Sequence, residues 1–311
     1  MTQSPERSSI HTFGQLEVAL ERIANSQSGR GTSAARPWAL RSAGRAAARI
    51  GLPAARIAFV TGFFLPHANP PSAETDGPVG TAMLAAILSQ AGRDTCVVTD
   101  IWSHKVVAAT LASCGYDGEV LVSHGSDDVE RCRSRLADMG ITDLLLVERP
   151  GSSTDGRRYS MSGIDISDCN LPFELLVEDA RWTTIAIGDG GNELGLGAIP
   201  RQLLEGRVPN AARILAQAQA DIAILASVSN WGCYAVAMLL AAGRPEFIPI
   251  VESVLSPDNE AAIIDAAVAA GAIDGVHLRP SRSVDGFDTA VSGAAILEMK
   301  AALAEFVSRR L

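Results

Sequence analysis

Short apolar runs alternate with longer stretches of helical periodicity along most of the chain. Eight runs rich in Val, Ile and Leu predict strands buried on both faces: residues 57–61, 95–99, 119–122, 144–148, 183–187, 222–226, 248–251 and 276–278. Apolar residues at helical spacing predict nine helices: residues 13–24, 37–50, 78–91, 103–112, 127–139, 172–179, 231–242, 257–270 and 288–307.

This alternation predicts an α/β fold, in which a doubly wound, mostly parallel sheet carries helices on both faces. Eight strands would also suit a closed barrel. The irregular spacing and the long non-helical segment 149–170 favour the open sheet. We expect a short N-terminal helical extension over residues 1–50 and one α/β domain over residues 51–311.

Composition narrows the class of protein. Apolar residues make up 47% of the chain and the formal net charge is −9, so we expect a globular protein that does not bind nucleic acid. Residues 1–9 hold no apolar signal-peptide run, and a Ser-Asn-Trp-Gly turn splits the uncharged stretch 222–243, so we expect no membrane span. The five cysteines form no Cys-x-x-Cys pair, which favours a reducing, cytoplasmic location and disfavours zinc.

The most informative segment follows the predicted strand 183–187. There Asp189 and Glu193 flank Gly190, Gly191 and Asn192, where a ligand can approach the backbone closely. Ligands of α/β proteins bind at the carboxyl ends of strands, so this segment predicts a small-molecule site. It is no dinucleotide fingerprint, because Glu193 stands where the last glycine of Gly-x-Gly-x-x-Gly is required. The alternative is a glycine-rich turn that only begins a helix.

A second loop follows the predicted strand 57–61. It contains Gly62, His67, Glu74, Asp76 and Gly77, and it ends at a proline that begins a predicted helix. The free N–H groups of that helix would favour an anion or carboxylate beside the loop. In the alternative interpretation, Asp76 or Thr75 only caps the helix that follows.

Two further loops carry polar residues after predicted strands. Arg149 and Arg157 lie in the long segment 149–170, and a guanidinium can bind a carboxylate through two parallel hydrogen bonds. Ser229 and Asn230 follow the strand 222–226 and could bind an amine or a carboxylate. The alternatives are arginines that touch only solvent and an Asn230 that caps the helix beginning at residue 231.

Carboxylates therefore dominate the candidate sites. Buried carboxylates can transfer protons, or they can hold a hard divalent cation such as Mg²⁺ or Mn²⁺. We expect no definite cofactor, and if a metal is bound we expect Asp189 and Glu193 to hold it.

Several of these residues occur together in an order that resembles the D-glutamate cyclase family, in its C-terminal (DUF4392-type) domain. The resemblance covers roughly residues 55–300. It rests on Thr61-Gly62-Phe63, Glu74-Thr75-Asp76-Gly77-Pro78, Glu148-Arg149-Pro150-Gly151, Asp155-Gly156 with Tyr159 and Met161, and Gly188-Asp189-Gly190-Gly191-Asn192-Glu193.

The resemblance implies a hydro-lyase that converts D-glutamate to 5-oxo-D-proline and water. On that basis we expect proton transfer by four carboxylates, at Asp189, Glu193, Asp76 and Glu74. We expect substrate contacts from Gly62, Gly77, Arg149, Arg157, Gly190, Gly191, Asn192, Ser229 and Asn230.

Alternative functions remain open from the residues alone. One is a non-catalytic binding module for an acidic amino acid. Eukaryotic relatives carry a further N-terminal domain, and if that domain supplies part of the activity, this chain would only bind the amino acid. Another is a metal-dependent hydrolase or isomerase that uses the same carboxylates. The expected partner is a small acidic amino acid, and a homo-oligomer is an open alternative.

Overall fold

Six of the apolar runs form one parallel sheet in the computed structural model, which describes residues 10–27, 30–179 and 181–309. The order across the sheet is β3-β2-β1-β4-β5-β6, with β3 and β6 at the open edges. This doubly wound order confirms the predicted fold class and excludes the closed barrel. The strands are β1 (Ile57–Thr61), β2 (Thr95–Asp100), β3 (Glu119–Ser123), β4 (Asp143–Val147), β5 (Thr183–Gly188) and β6 (Ile222–Leu225).

Helices surround the sheet. Those of seven residues or more in the described part are α1 (Phe13–Ala24), α2 (Ser42–Ile50), α3 (Pro78–Gln90), α4 (His104–Ser113), α5 (Ser126–Asp138), α6 (Ser229–Gly243), α7 (Ile248–Val254), α8 (Pro257–Ala269) and α9 (Thr289–Ser308). Single α-helical turns are formed by Arg36–Ala39, Glu174–Val177 and Ala211–Ile214. Short 3₁₀ segments are Thr32–Ala35, Ser167–Cys169, Arg201–Leu203 and Pro245–Phe247.

Two small antiparallel hairpins complete the fold. The first pairs Phe64–Leu65 with Ser72–Ala73 between β1 and α3, and the second pairs Ser283–Val284 with Phe287–Asp288 between α8 and α9. The segment that follows the first hairpin and the turn inside the second hairpin both lie near the carboxyl ends of the strands, where the candidate site lies.

Alternate residues of the strands enter two separate hydrophobic cores. Phe59 and Ile187 belong to the larger core, which also contains side chains of α1, α2, α3, α6, α8 and α9. Val60 and Ala186 face the smaller core, which includes side chains of α5. Because successive side chains of a strand point to opposite faces, a strand covered on both faces is apolar throughout.

Helix α6 lies at the centre of the larger core and is buried along almost its whole length. Gly232 permits this, because a Cβ at that position would lie 2.6 Å from Cγ2 of Ile187 on β5. The helix is apolar on all sides since it packs against the sheet and against other helices. None of the helices within the described residues combines the length and apolar character needed to cross a membrane.

The N-terminal helices pack into the larger core, to which Leu16, Leu20 and Ile50 contribute fully buried side chains. The helix predicted over residues 37–50 is interrupted before α2. There Arg41 has a φ of 69°, and its N–H donates to a carboxylate oxygen of Glu21 on α1. Glu21, which lies on α1, therefore helps to determine where α2 begins. The domain division at residue 50 stays a prediction.

Two predicted strands are wrong. Residues 248–251 begin helix α7, whose Val251 and Val254 are buried at helical spacing and whose second residue is a proline, which suits a helix start. Residues 276–278 form a turn, because Asp274 accepts hydrogen bonds from the backbone N–H groups of Val276 and His277. Both runs were too short for periodicity to separate a strand from other structures. The helix predicted over residues 172–179 is a single turn.

A buried acid lies in the larger core, away from the sheet. Glu260 on α8 is fully buried and accepts a hydrogen bond of 2.8 Å from the Tyr234 hydroxyl on α6. Burial raises the pKa of Glu260 from 4.5 to about 7, although the hydrogen bond from Tyr234 opposes the shift. Between about pH 4.5 and pH 7, the folded protein therefore holds a proton at Glu260 that the unfolded chain releases.

We expect Glu260→Gln to remove a pH dependence of stability. A raised carboxyl pKa contributes stability that is fully present below about pH 4.5 and is lost as the pH rises through about 7. At pH 8 the variant should exceed the wild-type free energy of unfolding by up to about 3 kcal/mol, and at pH 4.5 the two should be similar. Urea denaturation at both pH values measures the difference. A difference that is independent of pH would contradict the assignment.

Candidate functional site

Four of the predicted loops meet at the carboxyl ends of the strands of the sheet. They follow β1, β4, β5 and β6, which lie side by side in that order. The loop after β1 carries Glu74 and Asp76, and the loop after β5 carries Asp189. Because the carboxyl ends of parallel strands lie on the same side of the sheet, residues distant in the sequence converge there.

Asp76 and Asn230 bind each other's helix. Asp76 accepts hydrogen bonds from the backbone N–H groups of Ser229 (2.8 Å) and Asn230 (2.9 Å) at the start of α6. The Asn230 side-chain oxygen accepts from the N–H groups of Gly77 (2.9 Å) and Gly80 (2.7 Å) at the start of α3. Each residue therefore caps the neighbouring helix, whereas the capping alternatives had placed each on the helix that follows it. Both helix N-termini, which carry partial positive charge, face the site.

The loop after β4 begins with Glu148, which sequence analysis did not include among the site residues. Its φ is 42°, and one of its carboxylate oxygens accepts a hydrogen bond of 2.5 Å from the Ser229 hydroxyl. Gly77 lies directly against it: the φ of Gly77 is 89°, and a Cβ there would be 2.6 Å from the Glu148 Cβ. Gly77 is thus required for the close approach of the β1 and β4 loops.

Glu193 holds the loop after β5 in place. Its two carboxylate oxygens accept hydrogen bonds of 2.6 to 2.7 Å from the backbone N–H groups of Asp189, Gly190 and Gly191. Asn192 points elsewhere, and its side-chain amide donates to the carbonyl oxygen of Tyr159 at 2.9 Å. The glycine-rich segment therefore wraps around one of its own carboxylates.

Asp189 has a different environment. Only 1% of it is exposed, yet neither carboxylate oxygen accepts a hydrogen bond from the described residues. Its Oδ2 lies 3.1 Å from Nε of Arg30, and the same guanidinium also contacts Asp285. Arg30 comes from the segment between α1 and α2, and Asp285 from the turn of the second hairpin. Sequence analysis missed both residues.

The carboxylates form two overlapping groups of three. Asp76, Asp189 and Asp285 make one group, and Glu148, Asp189 and Glu193 make the other. Within each group, one oxygen from each residue lies within 4.8 Å of the other two. Asp189 belongs to both groups and lies at the centre of the site.

Burial raises the pKa of several of these carboxyl groups well above their ordinary values. The pKa of Asp189 is raised mainly by burial. The positive charge of Arg30 opposes this shift, and the negative charges of Asp285 and Glu148 add to it. Like charges held close together in a poorly solvated site favour the protonated form of some members. The site can therefore hold and transfer protons at a pH where isolated carboxyls are ionised. The raised groups are Glu74, Asp76, Glu148 and Asp189.

A cavity of about 290 Å³ opens beside the acidic cluster, which consists of the buried carboxylates Glu74, Asp76, Glu148, Asp189, Glu193 and Asp285. Glu74 of this cluster lines the cavity, and so does Arg30, which forms ion pairs with two other members of the cluster. His67, which sequence analysis singled out, lies on its wall, and burial lowers the pKa of its ring. The remaining wall is largely apolar and includes Phe63, Leu65, Met161, Val276 and Leu278. This size suits a small metabolite.

The predicted arginines lie away from this cluster. Arg149 is fully buried, forms a 2.6 Å ion pair with Asp100 and donates hydrogen bonds to the carbonyl oxygens of Gly62 and Leu171. Its guanidinium also stacks on the ring of Phe173. Arg149 therefore ties the loops after β1 and β4 together.

Arg157 is exposed. It pairs with Asp165 at 2.6 Å within the segment 149–170 and does not line the cavity. Among the described arginines, Arg30 is thus the one that contacts the carboxylates of the site. Its position in a Gly/Ser-rich connection is the one signal of it in the sequence, and that signal is weak.

We expect Arg149→Met and Arg157→Met to differ sharply in stability. Removing Arg149 leaves the buried Asp100 without its ion-pair partner, which should lower the free energy of unfolding by about 3 to 5 kcal/mol. Loss of the exposed Arg157–Asp165 pair should change it by less than about 1 kcal/mol. Urea denaturation of both variants measures the difference. Equal, small effects would show that Arg149 is not a structural residue.

Comparison with known proteins shows what the chain is similar to. Residues 7–300 match the family described as D-glutamate cyclase-like, C-terminal. The chain is also 29% identical to human mitochondrial D-glutamate cyclase over 209 residues, which cover 62% of this chain and 34% of the human protein. The chain thus spans about a third of the length of that relative, whose name assigns it to mitochondria, and the cytoplasmic location stays a prediction. Since the family match covers nearly the whole chain, the protein belongs to the D-glutamate cyclase-like C-terminal family.

Proposed function

We propose that this protein cyclises D-glutamate to 5-oxo-D-proline and releases water. The observation that carries the proposal is a guanidinium and several buried carboxylates beside one small cavity, which Arg30 and Glu74 both line. Such a site has a positive group for a substrate carboxylate and negative groups for a substrate ammonium. Family membership and the name of the human relative support the same substrate.

The reaction requires proton transfer more than any other chemistry. The amine nitrogen forms a bond to the carbon of the side-chain carboxyl group, and one C–O bond of that group breaks. Overall, two protons leave the ammonium group and depart with the released oxygen as water. The enzyme must therefore take protons from nitrogen and supply them to oxygen, which suits paired carboxyl groups.

We assign the first of these roles to Asp189. Neither carboxylate oxygen accepts a hydrogen bond from the described residues, and since Oδ2 contacts Nε of Arg30 at 3.1 Å, Oδ1 is the oxygen available to the substrate amine. Glu74 lines the cavity and is placed to return a proton to the leaving oxygen. Arg30 would bind a substrate carboxylate, since it lies on the cavity wall and contacts the cluster.

The other two carboxylates expected to transfer protons are assigned supporting roles. Asp76 and Glu193 each accept three backbone hydrogen bonds, which hold the loops around the site. Gly190, Gly191, Ser229 and Asn230 supply most of those N–H groups. We propose that they position the carboxylates and do not bind the substrate directly.

A binding module for an acidic amino acid is the second candidate. It is favoured by one observation, namely that the chain corresponds to about a third of the human relative. A part of a larger enzyme could bind the amino acid while another part supplies the chemistry.

We expect the purified protein to form 5-oxo-D-proline from D-glutamate, measured by chiral chromatography. Asp189→Asn should lower kcat by about 100-fold or more, because it removes the proposed base. Asp265→Asn is the matched control, since Asp265 is exposed, pairs with the exposed Arg282 and does not line the cavity. The control should keep wild-type activity.

Three results would count against the proposal. Saturable D-glutamate binding without turnover in either direction would leave the binding module as the function. Equal turnover of L-glutamate would contradict the D-amino-acid substrate. Full activity of Asp189→Asn would contradict the assigned role of Asp189 while leaving the reaction intact.

A further inference from the structure

The cavity beside the acidic cluster has a charged part and an apolar part. Among the described residues that line it, the charged side chains are Arg30 and Glu74. The apolar part, called the apolar wall below, is formed by Phe63, Leu65, Met161, Pro209, Val276 and Leu278. Free D-glutamate is charged at both ends and has only a short hydrocarbon chain, so an apolar wall of this extent contributes little to its binding.

The apolar wall extends from the interior of the protein to the solvent. Phe63 and Leu65 are each 4% exposed, as is Glu74, whereas Val276 is 56% exposed. The wall therefore begins beside the charged part of the cavity and ends at its mouth. A ligand whose charged groups occupy the buried part could extend an apolar group along the wall.

The backbone conformation of Leu278 supports a binding role for the wall. Its φ is 55°, in the left-handed region that a bulky side chain rarely adopts. Its N–H donates to the carbonyl oxygen of Asp274 at 2.8 Å, and its carbonyl oxygen accepts from the N–H of Asn69 at 3.0 Å. Glycine would adopt this conformation without strain, so the leucine side chain is present on the wall at a cost in stability. Strain of this kind is typical of functional positions.

Glu74 lies at the junction between the charged part and the apolar wall. Its backbone N–H donates to the carbonyl oxygen of Phe63 at 3.0 Å. Its Oε2 lies so close to Gly275, which precedes Val276, that a Cβ on this glycine would overlap the oxygen. In the proposed function, Glu74 supplies a proton to the leaving atom. A group attached to that atom would therefore begin beside Glu74 and lie along the apolar wall.

The charge of the site favours a substrate with one carboxylate over a substrate with two. The acidic cluster gathers six buried carboxyl groups, and among the described residues Arg30 is the one basic side chain within ion-pair distance of any of them. D-Glutamate brings two further carboxylates to this single guanidinium. A γ-amide of D-glutamate keeps the ammonium and the α-carboxylate but replaces the second negative charge with a neutral group, which lowers the repulsion in a poorly solvated site.

We propose that this site also cyclises γ-amides of D-glutamate whose amide nitrogen carries an apolar group, and that the apolar wall binds that group. This inference rests on the proposed function, because it uses the same amine, the same base and the same proton donor. It differs in the leaving group, which is an amine instead of water.

The atoms and protons of this reaction balance without a further reactant. The substrate amine nitrogen forms a bond to the γ-carbonyl carbon, and the bond from that carbon to the amide nitrogen breaks. The substrate ammonium loses two protons, and the released amine takes up both and departs as an ammonium ion. Asp189 and Glu74 would transfer these protons, as in the reaction of D-glutamate.

The test compares three substrates of the full chain: D-glutamate, D-glutamine and γ-D-glutamyl-benzylamide. D-Glutamine is the γ-amide without an apolar group. Formation of 5-oxo-D-proline is measured by chiral chromatography, and the rate in buffer alone is subtracted. We expect kcat/KM for the benzylamide to exceed that for D-glutamine by about tenfold or more, because the benzyl group is removed from water against the wall.

Two serine variants test the wall itself. Val276→Ser should lower the ratio of the benzylamide kcat/KM to the D-glutamine kcat/KM by about threefold or more, since it removes an apolar contact. Leu297→Ser is the matched control and should keep the wild-type ratio, because Leu297 is 58% exposed and does not line the cavity. Effects on the amino-acid part that both amides share cancel in this ratio. Both side chains are exposed, so both variants should fold.

The outcomes separate this inference from the proposed function. Turnover of D-glutamate with a benzylamide kcat/KM no higher than that of D-glutamine would overturn the inference and leave the proposed function standing. Turnover of the benzylamide without turnover of D-glutamate would support the γ-amide and contradict free D-glutamate as the substrate. The absence of 5-oxo-D-proline from all three substrates would overturn both.

Two further results would overturn parts of the inference. Release of benzylamine together with D-glutamate, instead of 5-oxo-D-proline, would identify hydrolysis and contradict the cyclisation. An unchanged ratio in Val276→Ser, or an equal fall in Leu297→Ser, would contradict the binding of the apolar group by the wall.

Discussion

The exchange of capping groups between Asp76 and Asn230 is the interaction on which the rest of the site depends. Each side chain satisfies backbone N–H groups at the start of the other's helix, so α3 and α6 are locked together at their N-termini. This lock brings the loops after β1 and β6 against each other, although β4 and β5 lie between those two strands. It also aims two helix N-termini at the acidic cluster, which lowers the cost of gathering carboxylates there.

The carboxylates of the cluster divide into two kinds. Asp76 and Glu193 are surrounded by backbone N–H donors, and their carboxyl oxygens hold loops in place. Asp189 and Asp285 are buried, and both oxygens of Asp189 and Oδ2 of Asp285 accept no hydrogen bond in the described part of the chain. A fold that leaves buried carboxylate oxygens without hydrogen bonds sacrifices stability at that point, which is typical of sites that bind or react with something else.

Two arginines show the same division. Arg149 is satisfied by Asp100 and by backbone carbonyl groups, and it stabilises the loops behind the site. Arg30 contacts two carboxylates of the cluster and lines the cavity, so its charge is available to what enters. Residue type alone therefore does not tell which arginine serves the site.

The amino-acid sequence by itself determined the doubly wound sheet, six of its strands and the loops that carry Asp76 and Asp189. Strong local patterns explain this success, since buried strands and the glycine-rich turn after β5 leave clear signals within a few residues. Only the tertiary structure decided which helix each capping residue serves, and it alone brought Arg30 and Asp285 to Asp189 from opposite ends of the chain. Those contacts join residues more than 90 positions apart, and their energy depends on burial and distance, which no local pattern of residues records.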